Sequence, residues 1–333
     1  MDRVVSLSEV TKRFRVPRAR GSGLGARFRA LVRPETEHVV AVDGVSFTIR
    51  SGERVAFLGP NGAGKSTTLK ILSGILQPDS GHAEVLALSP FRDRRRLGFH
   101  VGTVFGQRSQ LWYQLPARDS FELFRYVYEL PAERFRARLR DLETAFELHG
   151  LLDKPVRQLS LGERMRCEIA ASLLHAPQIL FLDEPTIGLD VSAKAILREH
   201  LRESSERAGT TLLLTSHDTG DIERVCDRVI VVNRGRVVLD GPLADLRRSY
   251  LGKRRVTAVT EATTLELTLP GMECVMRAPY RTTFELDVER TPLGQFVDAV
   301  SQQTLLRDLE IEDPPLDELI RRLYATADRE SPS

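Results

Sequence analysis

Gly59-Pro60-Asn61-Gly62-Ala63-Gly64-Lys65-Ser66-Thr67 is the stretch on which the rest of the chain turns. It matches the pattern GxxxxGK[ST]. Its glycines let successive backbone N–H groups turn inward around a phosphate, and the helix that follows adds the positive end of its dipole. Lys65 is placed to reach the β- and γ-phosphates, and the Ser66 hydroxyl to ligate Mg2+. The plain alternative is a glycine-rich turn before a helix. The apolar run at residues 54–58 argues against that, because it supplies the strand such a loop must leave.

Downstream, Ile179-Leu180-Phe181-Leu182-Asp183-Glu184-Pro185 is an apolar strand ending in two acids. Uncompensated buried carboxylates are costly, so the pair suggests a cation nearby. Asp183 fits the Mg2+ shell. Glu184, one residue on, points elsewhere, toward an attacking water that it can position or deprotonate. Acids that merely face solvent are the alternative. Just upstream, in Leu159-Ser160-Leu161-Gly162-Glu163, Ser160 followed by Glu163 is a capping box, the signal of a helix start. That helix, over residues 162–175, aims the positive end of its dipole outward.

The chain has 333 residues, 41% hydrophobic and 28% charged, as expected of a globular protein with one large domain and a small one. A net charge of +2 gives no overall drive toward nucleic acid, and none is expected as a partner. Cys167, Cys226 and Cys274 are scattered without metal spacing, which fits a reducing compartment. There is no apolar stretch of signal-peptide length at the N-terminus, and no run approaches the ~20 residues of a membrane span. If the protein moves something across a membrane, another chain must supply the channel.

Residues 3–8 and 45–49 read as strands flanking an Arg-, Gly- and Pro-rich insertion at about 16–37. A helix runs from the phosphate loop to about Leu76, and residues 77–81 form a turn. Residues 118–150 carry helical periodicity, with Phe121, Phe124, Tyr128, Leu139, Leu142 and Phe146 on apolar faces. Residues 211–215, 229–232 and 237–239 read as strands, and 221–225 as a helix. The alternation implies an α/β sheet with an inserted helical subdomain at about 108–177. After about Arg248 the pattern changes. Leu265, Leu267 and Leu269 alternate, as do Phe284, Leu286 and Val288, which predicts two strands. Helices open at Pro292 and Pro314. A first domain at 1–246 and a small α+β appendage at 247–333 follow from this.

Taken in order, the phosphate loop, Ser160-Leu161-Gly162-Glu163, Leu182-Asp183-Glu184-Pro185, Gly188-Leu189-Asp190 and His217 resemble the nucleotide-binding domain of an ABC transporter, a P-loop NTPase, over residues 3–245. The resemblance implies ATP and Mg2+ as cofactors and hydrolysis in a nucleotide-sandwich homodimer. Residues 59–67 would bind the phosphates, with Ser66 and Asp183 on the metal. Gln107 resembles the glutamine that touches Mg2+ and the attacking water, and His217 the histidine that contacts the γ-phosphate. Lys65, Gln107, Glu184 and His217 would carry catalysis. Ser160 and the Gly162 backbone would contact ATP held by the opposite subunit, and Asp190 would couple the two sites. Phe14 is the candidate for stacking on adenine. The sequence departs from the commonest form, Leu-Ser-Gly-Gly-Gln, at Leu161 and Glu163, so Glu163 is read as a helix cap.

The segments at 105–123 and 159–166 resemble the ATPase subunits of type-2 ABC exporters, particularly the viologen-exporter-like group. The insertion at 16–37 resembles one in polysaccharide and teichoic acid exporters. The implied partners are a second copy and separate membrane permeases, at the cytoplasmic face of the membrane. Trp112 and Tyr113 would lie near the groove that receives the permease, with core packing as their alternative. A soluble ATPase acting on ribosomes or DNA is the competing function.

Overall fold

Five short apolar runs build the central sheet: β3 (Arg54–Leu58), β5 (Val101–Phe105), β6 (Ile179–Asp183), β7 (Thr211–Thr215) and β8 (Arg228–Asn233). Their order is β5-β6-β7-β3-β8, and every pair is parallel. Near-continuous burial explains why these strands read as unbroken apolar runs. β9 (Arg236–Pro242) adds the outer edge after a two-residue turn at Arg234 and Gly235, both at positive φ as a tight hairpin requires. The computed structural model describes residues 2–17, 36–106, 109–246, 253–288, 290–312, 316 and 318–320. Gln107, most of the insertion, and the tail and most of the helix expected after Pro314 lie outside the described residues.

A second sheet, β2-β1-β4, packs its apolar face into the same core. It comprises β1 (Arg3–Pro17), β2 (Thr36–Arg50) and β4 (Ser80–Val85). Val5, Leu7, Phe47 and Ile49 meet Val55, Phe57, Ile71 and Phe181 there. β1 and β2 are longer than expected, and β4 begins inside the expected turn. The register shifts between Leu7 and Val10, where Glu9 has a φ of 50°. Such a bulge breaks the period-two pattern, so the sequence signal of β1 stops at residue 8.

The first helix, α1 (Lys65–Leu72), is followed by α2 (Arg94–Gly98). Between β5 and β6 come α3 (Ala117–Val127), α4 (Ala132–Ala145), a 3-10 turn (Val156–Gln158) and α5 (Leu161–Leu173). Phe121, Leu139, Leu142 and Phe146 are buried there, as the periodicity predicts, while Phe124 and Tyr128 are half-buried and Phe135 joins the buried set. α6 (Val191–Ala208) and α7 (Thr219–Val225) flank β7.

The chain divides into two compact units, Met1–Gly241 and Pro242–Ser333. In the second, the sheet order is β11-β12-β10-β13, all antiparallel. Its strands are β10 (Lys253–Thr260), β11 (Met272–Ala278), β12 (Arg281–Asp287) and β13 (Leu306–Glu312). The helix α8 (Leu293–Gln303) lays Phe296 against Phe284, with ring centroids 5.6 Å apart. One sequence expectation is corrected here: residues 265–269 form no strand, although Leu265 is buried against the same core. β10 has no clean alternation because both its faces are covered. Val256 and Ala258 join the core, while Thr257 is buried on the other side, bonded to Thr283 Oγ1 at 3.0 Å.

Candidate active site

The phosphate loop lies between β3 and α1, and its glycines are obligatory. Gly64 has a φ of +101°, and a Cβ there would fall 2.2 Å from the Ala41 carbonyl oxygen. Lys65 is 7% exposed, and its amino group donates to the carbonyls of Gly59 at 2.6 Å and Pro60 at 3.3 Å. Burial lowers its pKa, while Glu184 and Asp183 push it back up. The loop is braced from below, where Gly235 N donates to Ala63 O at 3.1 Å. Asn61 and Gly62 are exposed, and Ser66 and Thr67 are half-buried.

The acid pair is shaped by the register of β6 on β7, which sets Asp183 opposite Thr215. Thr215 Oγ1 donates to Asp183 Oδ1 at 2.7 Å and accepts from Glu184 N at 3.1 Å. Glu184 then leaves the strand at a φ of 55°. A left-handed non-glycine residue costs about 1–3 kcal/mol and persists only where its surroundings hold it. Here they hold it beside His217. Glu184 Oε2 accepts from His217 N at 3.3 Å, and Oε1 lies 3.2 Å from His217 Nε2. That second approach has ion-pair distance without hydrogen-bond alignment, so Oε1 is buried with no hydrogen-bond partner. Burial raises the Glu184 pKa, opposed by His217 and Lys65. Lys65, Asp183, Glu184 and His217 thus form one electrostatic group.

Behind this group sits a network that the sequence reading missed. Asp221, 1% exposed, accepts from Arg198 Nε at 2.6 Å, Ser216 Oγ at 2.5 Å and Thr186 Oγ1. Arg198 and Lys194 also reach Asp218, at 3.0 and 2.6 Å. Thr186 follows Glu184 by two residues and Ser216 precedes His217, so Asp221 fastens the loops bearing Glu184 and His217 to α6. Nothing in the local pattern marks Asp221, because its partners come from three separate segments.

The capping box forms as expected. Glu163 N donates to Ser160 Oγ at 3.2 Å, and Ser160 N to Glu163 Oε2 at 2.7 Å. The second bond leads in holding the Glu163 pKa below its ordinary value. Leu161 fills the space over Gly188, where a Cβ would come 2.5 Å from Leu161 Cδ2. Asp190 caps α6 by accepting from Ala193 N at 2.8 Å. A Cβ on Gly162 would lie 3.4 Å from Ala193 Cβ, so Ser160, Gly162 and Asp190 share one neighbourhood. Gly106 N donates to Asp183 O at 2.9 Å, bringing the chain before Gln107 to the acid pair. Gln107 itself is outside the described residues. Phe14 of β1 pairs with Val39 of β2 and is half-buried, with Lys12 Nζ 5.9 Å from its ring centre. Trp112 and Tyr113 are 47% and 53% exposed, which removes core packing as their explanation.

The residues fit a magnesium nucleotide. Asp183 and Ser66 offer hard oxygens. Among the described residues no group of three or more His, Cys, Asp or Glu could hold a metal alone. Mg2+ is commonly bound this way, by one or two protein oxygens plus substrate phosphates.

A family model for ABC transporters matches residues 42–187. The chain is 38% identical over 222 residues to the daunorubicin resistance ATP-binding protein DrrA3 of Streptomyces coeruleorubidus, covering 67% of this chain and 70% of that one. It is 37% identical over 211 residues to the Nod factor export ATP-binding protein I of Ralstonia nicotianae, covering 63% and 65%. Among solved structures it resembles a dimeric post-hydrolysis state of an ATP-binding cassette bound to ADP and Pi. There the identity is 27%, the TM-score 0.59, and the coverage 72% of this chain and 98% of that one. With its phosphate loop, paired acids and capped signature helix, the chain belongs to the ABC transporter family, as an ATP-hydrolysing subunit of the exporter type with the ABC ATPase fold.

Proposed function

We propose that two copies of this chain close on two ATP molecules and use their hydrolysis to drive export through separate membrane permeases. The observation that carries the reading is the half-buried Glu184 carboxylate, beside His217 and under the charge of Lys65, with its Oε1 inaccessible and lacking a hydrogen bond. A buried acceptor of this kind is suited to take a proton from water. In each site the backbone of residues 59–67 cradles the phosphates, and Lys65 neutralises the β- and γ-oxygens. Glu184 deprotonates the water that attacks the γ-phosphorus, ADP leaves, and the proton rests on Glu184. His217 holds that carboxylate and meets the γ-phosphate. Ser66, Gln107 and Asp183 would hold Mg2+, which when bound offsets the charge developing on the phosphate oxygens. Ser160 and the Gly162 N–H reach in from the second copy, with Asp190 between the sites and Phe14 against adenine.

Two features support a permease partner. No helix among the described residues is long and apolar enough to cross a membrane. Exposed Trp112, Tyr113 and Leu115 follow Gln107 within eight residues of sequence, where a coupling element from a membrane chain can read nucleotide state. We place the protein at the cytoplasmic face of the membrane, with residues 247–333 as an accessory domain. Affinity purification from detergent-solubilised membranes tests the whole reading. A multi-span protein should co-purify. Ribosomes or DNA in its place would sink it.

A further inference from the structure

Between the end of α1 and the start of β5 the chain gathers positive charge that no described acid neutralises. Residues 89–100 wind into a single coil around α2, in which Asp93 N donates to Ser89 O at 2.8 Å, and Leu97 N to Asp93 O and His100 N to Leu97 O at 2.9 Å. Leu97 is the side chain of this coil that enters the core. At the helical period Arg92, Arg95 and Arg96 point away from it, with Arg94 on the flank, and all four are exposed. The coil packs on the end of α1, where a Cβ on Gly74 would fall 2.2 Å from Pro90 O and 3.2 Å from Arg94 Cβ. That contact sets two further groups beside the arginines. Exposed Lys70 lies one helical turn before Gly74, and Ile75, 55% exposed, directly after it. Phe91, 37% exposed, completes the patch. None of Lys70, Arg92, Arg94, Arg95 and Arg96 forms an ion pair or side-chain hydrogen bond with another described residue. The one acid of the coil, Asp93, is occupied by Ser89 N at 2.9 Å. By contrast, Arg54, Arg198 and Arg228 each hold two carboxylates. The whole chain carries only +2, so the patch is a local asymmetry of charge.

We propose that this patch binds an anionic lipid surface directly, so that the subunit lies against the cytoplasmic leaflet by its own contacts as well as through a permease. Guanidinium groups fanned around one coil suit a plane of many headgroup phosphates, each of which takes paired N–H donors. The exposed side chains of Phe91 and Ile75 supply apolar area to enter the boundary between headgroups and acyl chains. Each arginine near such a surface contributes about fivefold in affinity, and salt screens the contribution within about a Debye length. The choice of a lipid leaflet over other polyanions rests on the membrane reading above.

The test is sedimentation of the purified full chain, without any permease, with sucrose-loaded vesicles of phosphatidylcholine alone or with about one-third phosphatidylglycerol. The parent should bind the anionic vesicles at least tenfold more tightly than the neutral ones. It should lose at least tenfold of that affinity when NaCl is raised from about 0.05 to about 0.5 M. Arg95→Gln with Arg96→Gln should weaken binding by about 25-fold, and Phe91→Ser with Ile75→Ser by about fivefold or more. Arg281→Gln with Arg307→Gln removes the same charge from arginines that pair with Glu310 and Glu261, and should stay within twofold of the parent. All of these side chains are on the surface, so melting temperature and basal ATPase rate should be those of the parent. The proposal is overturned if neutral and anionic vesicles bind alike, or if the patch and control variants lose affinity equally. It is also overturned if the patch variants bind vesicles as the parent does but no longer co-purify with a membrane protein, which would make the patch a permease contact. Absence of any membrane protein from that purification sinks the transport reading instead. The two failures are distinct, because the vesicle assay contains no permease.

Discussion

Replacing Glu184 by Gln should separate ATP binding from ATP hydrolysis almost completely. Gln has nearly the volume of Glu, and its amide oxygen can still accept from His217 N, as Glu184 Oε2 does at 3.3 Å. The backbone anchors from Glu184 N to Thr215 do not involve the side chain. The left-handed φ of 55° is no worse for Gln than for Glu. Folding and phosphate-loop geometry should therefore be unchanged. What disappears is the proton acceptor. General-base catalysis contributes about 10²–10⁴ in rate, equivalent to about 3–5 kcal/mol of barrier, and kcat should fall by that range. The same change removes a negative charge from the site, so ATP binding should hold or tighten, and closed dimers should accumulate. Phosphate-release kinetics give kcat, and chromatography with light scattering in ATP gives the dimer. The pH profile adds a check. Burial raises the Glu184 pKa, so the base is lost as pH falls through a value above the ordinary 4.5 for glutamate. Parent kcat should drop on that acid limb, and the residual rate of the variant should lack it. Turnover within threefold of the parent would refute the assignment of Glu184 as the base.

Two further outcomes follow from buried groups. Asp221→Ala strands Arg198 and removes the acceptor of Ser216 and Thr186. Breaking a buried ion pair costs about 3–5 kcal/mol, and the retained Asp218–Arg198 contact points to the lower end. Urea unfolding should show that loss together with reduced kcat, and a change under about 1 kcal/mol would contradict the hub. His175 stacks on Tyr128 at 3.9 Å, and burial pushes its pKa from 6.5 down to about 4. The folded state then resists a proton that the unfolded chain accepts, so stability is complete above pH 6.5 and is lost as pH falls toward 4. At pH 5 the loss from this group is about 2 kcal/mol. The unfolding free energy of His175→Gln should change less between pH 7 and pH 5 than that of the parent. Equal slopes would remove His175 as the source.

The phosphate loop, the acid pair and the capping box were legible in the sequence because each depends on neighbours a few residues away. Gly64 is fixed by its own dihedral angle, Glu163 by Ser160 three residues before it, and Asp183 and Glu184 by the end of one apolar strand. The helical subdomain was legible for the same reason, since a period near 3.6 survives wherever one face is buried. The appendage was read less well. β10, covered on both faces, shows no alternation, whereas Leu265, Leu267 and Leu269 alternate without forming a strand.

By itself, then, the sequence determined that this chain binds a nucleotide phosphate, places two acids at a strand end and starts a capped helix between them, all through short-range geometry. Only the tertiary structure decided what stands behind those groups. It set Thr215 under Asp183, turned Glu184 toward His217, and made Asp221 the buried acceptor that holds two loops in place. Those contacts span roughly 20 to 35 residues of chain. A buried carboxylate is stable only when its donors converge on it, and convergence over such separations is a property of sheet register and helix packing that no local pattern records.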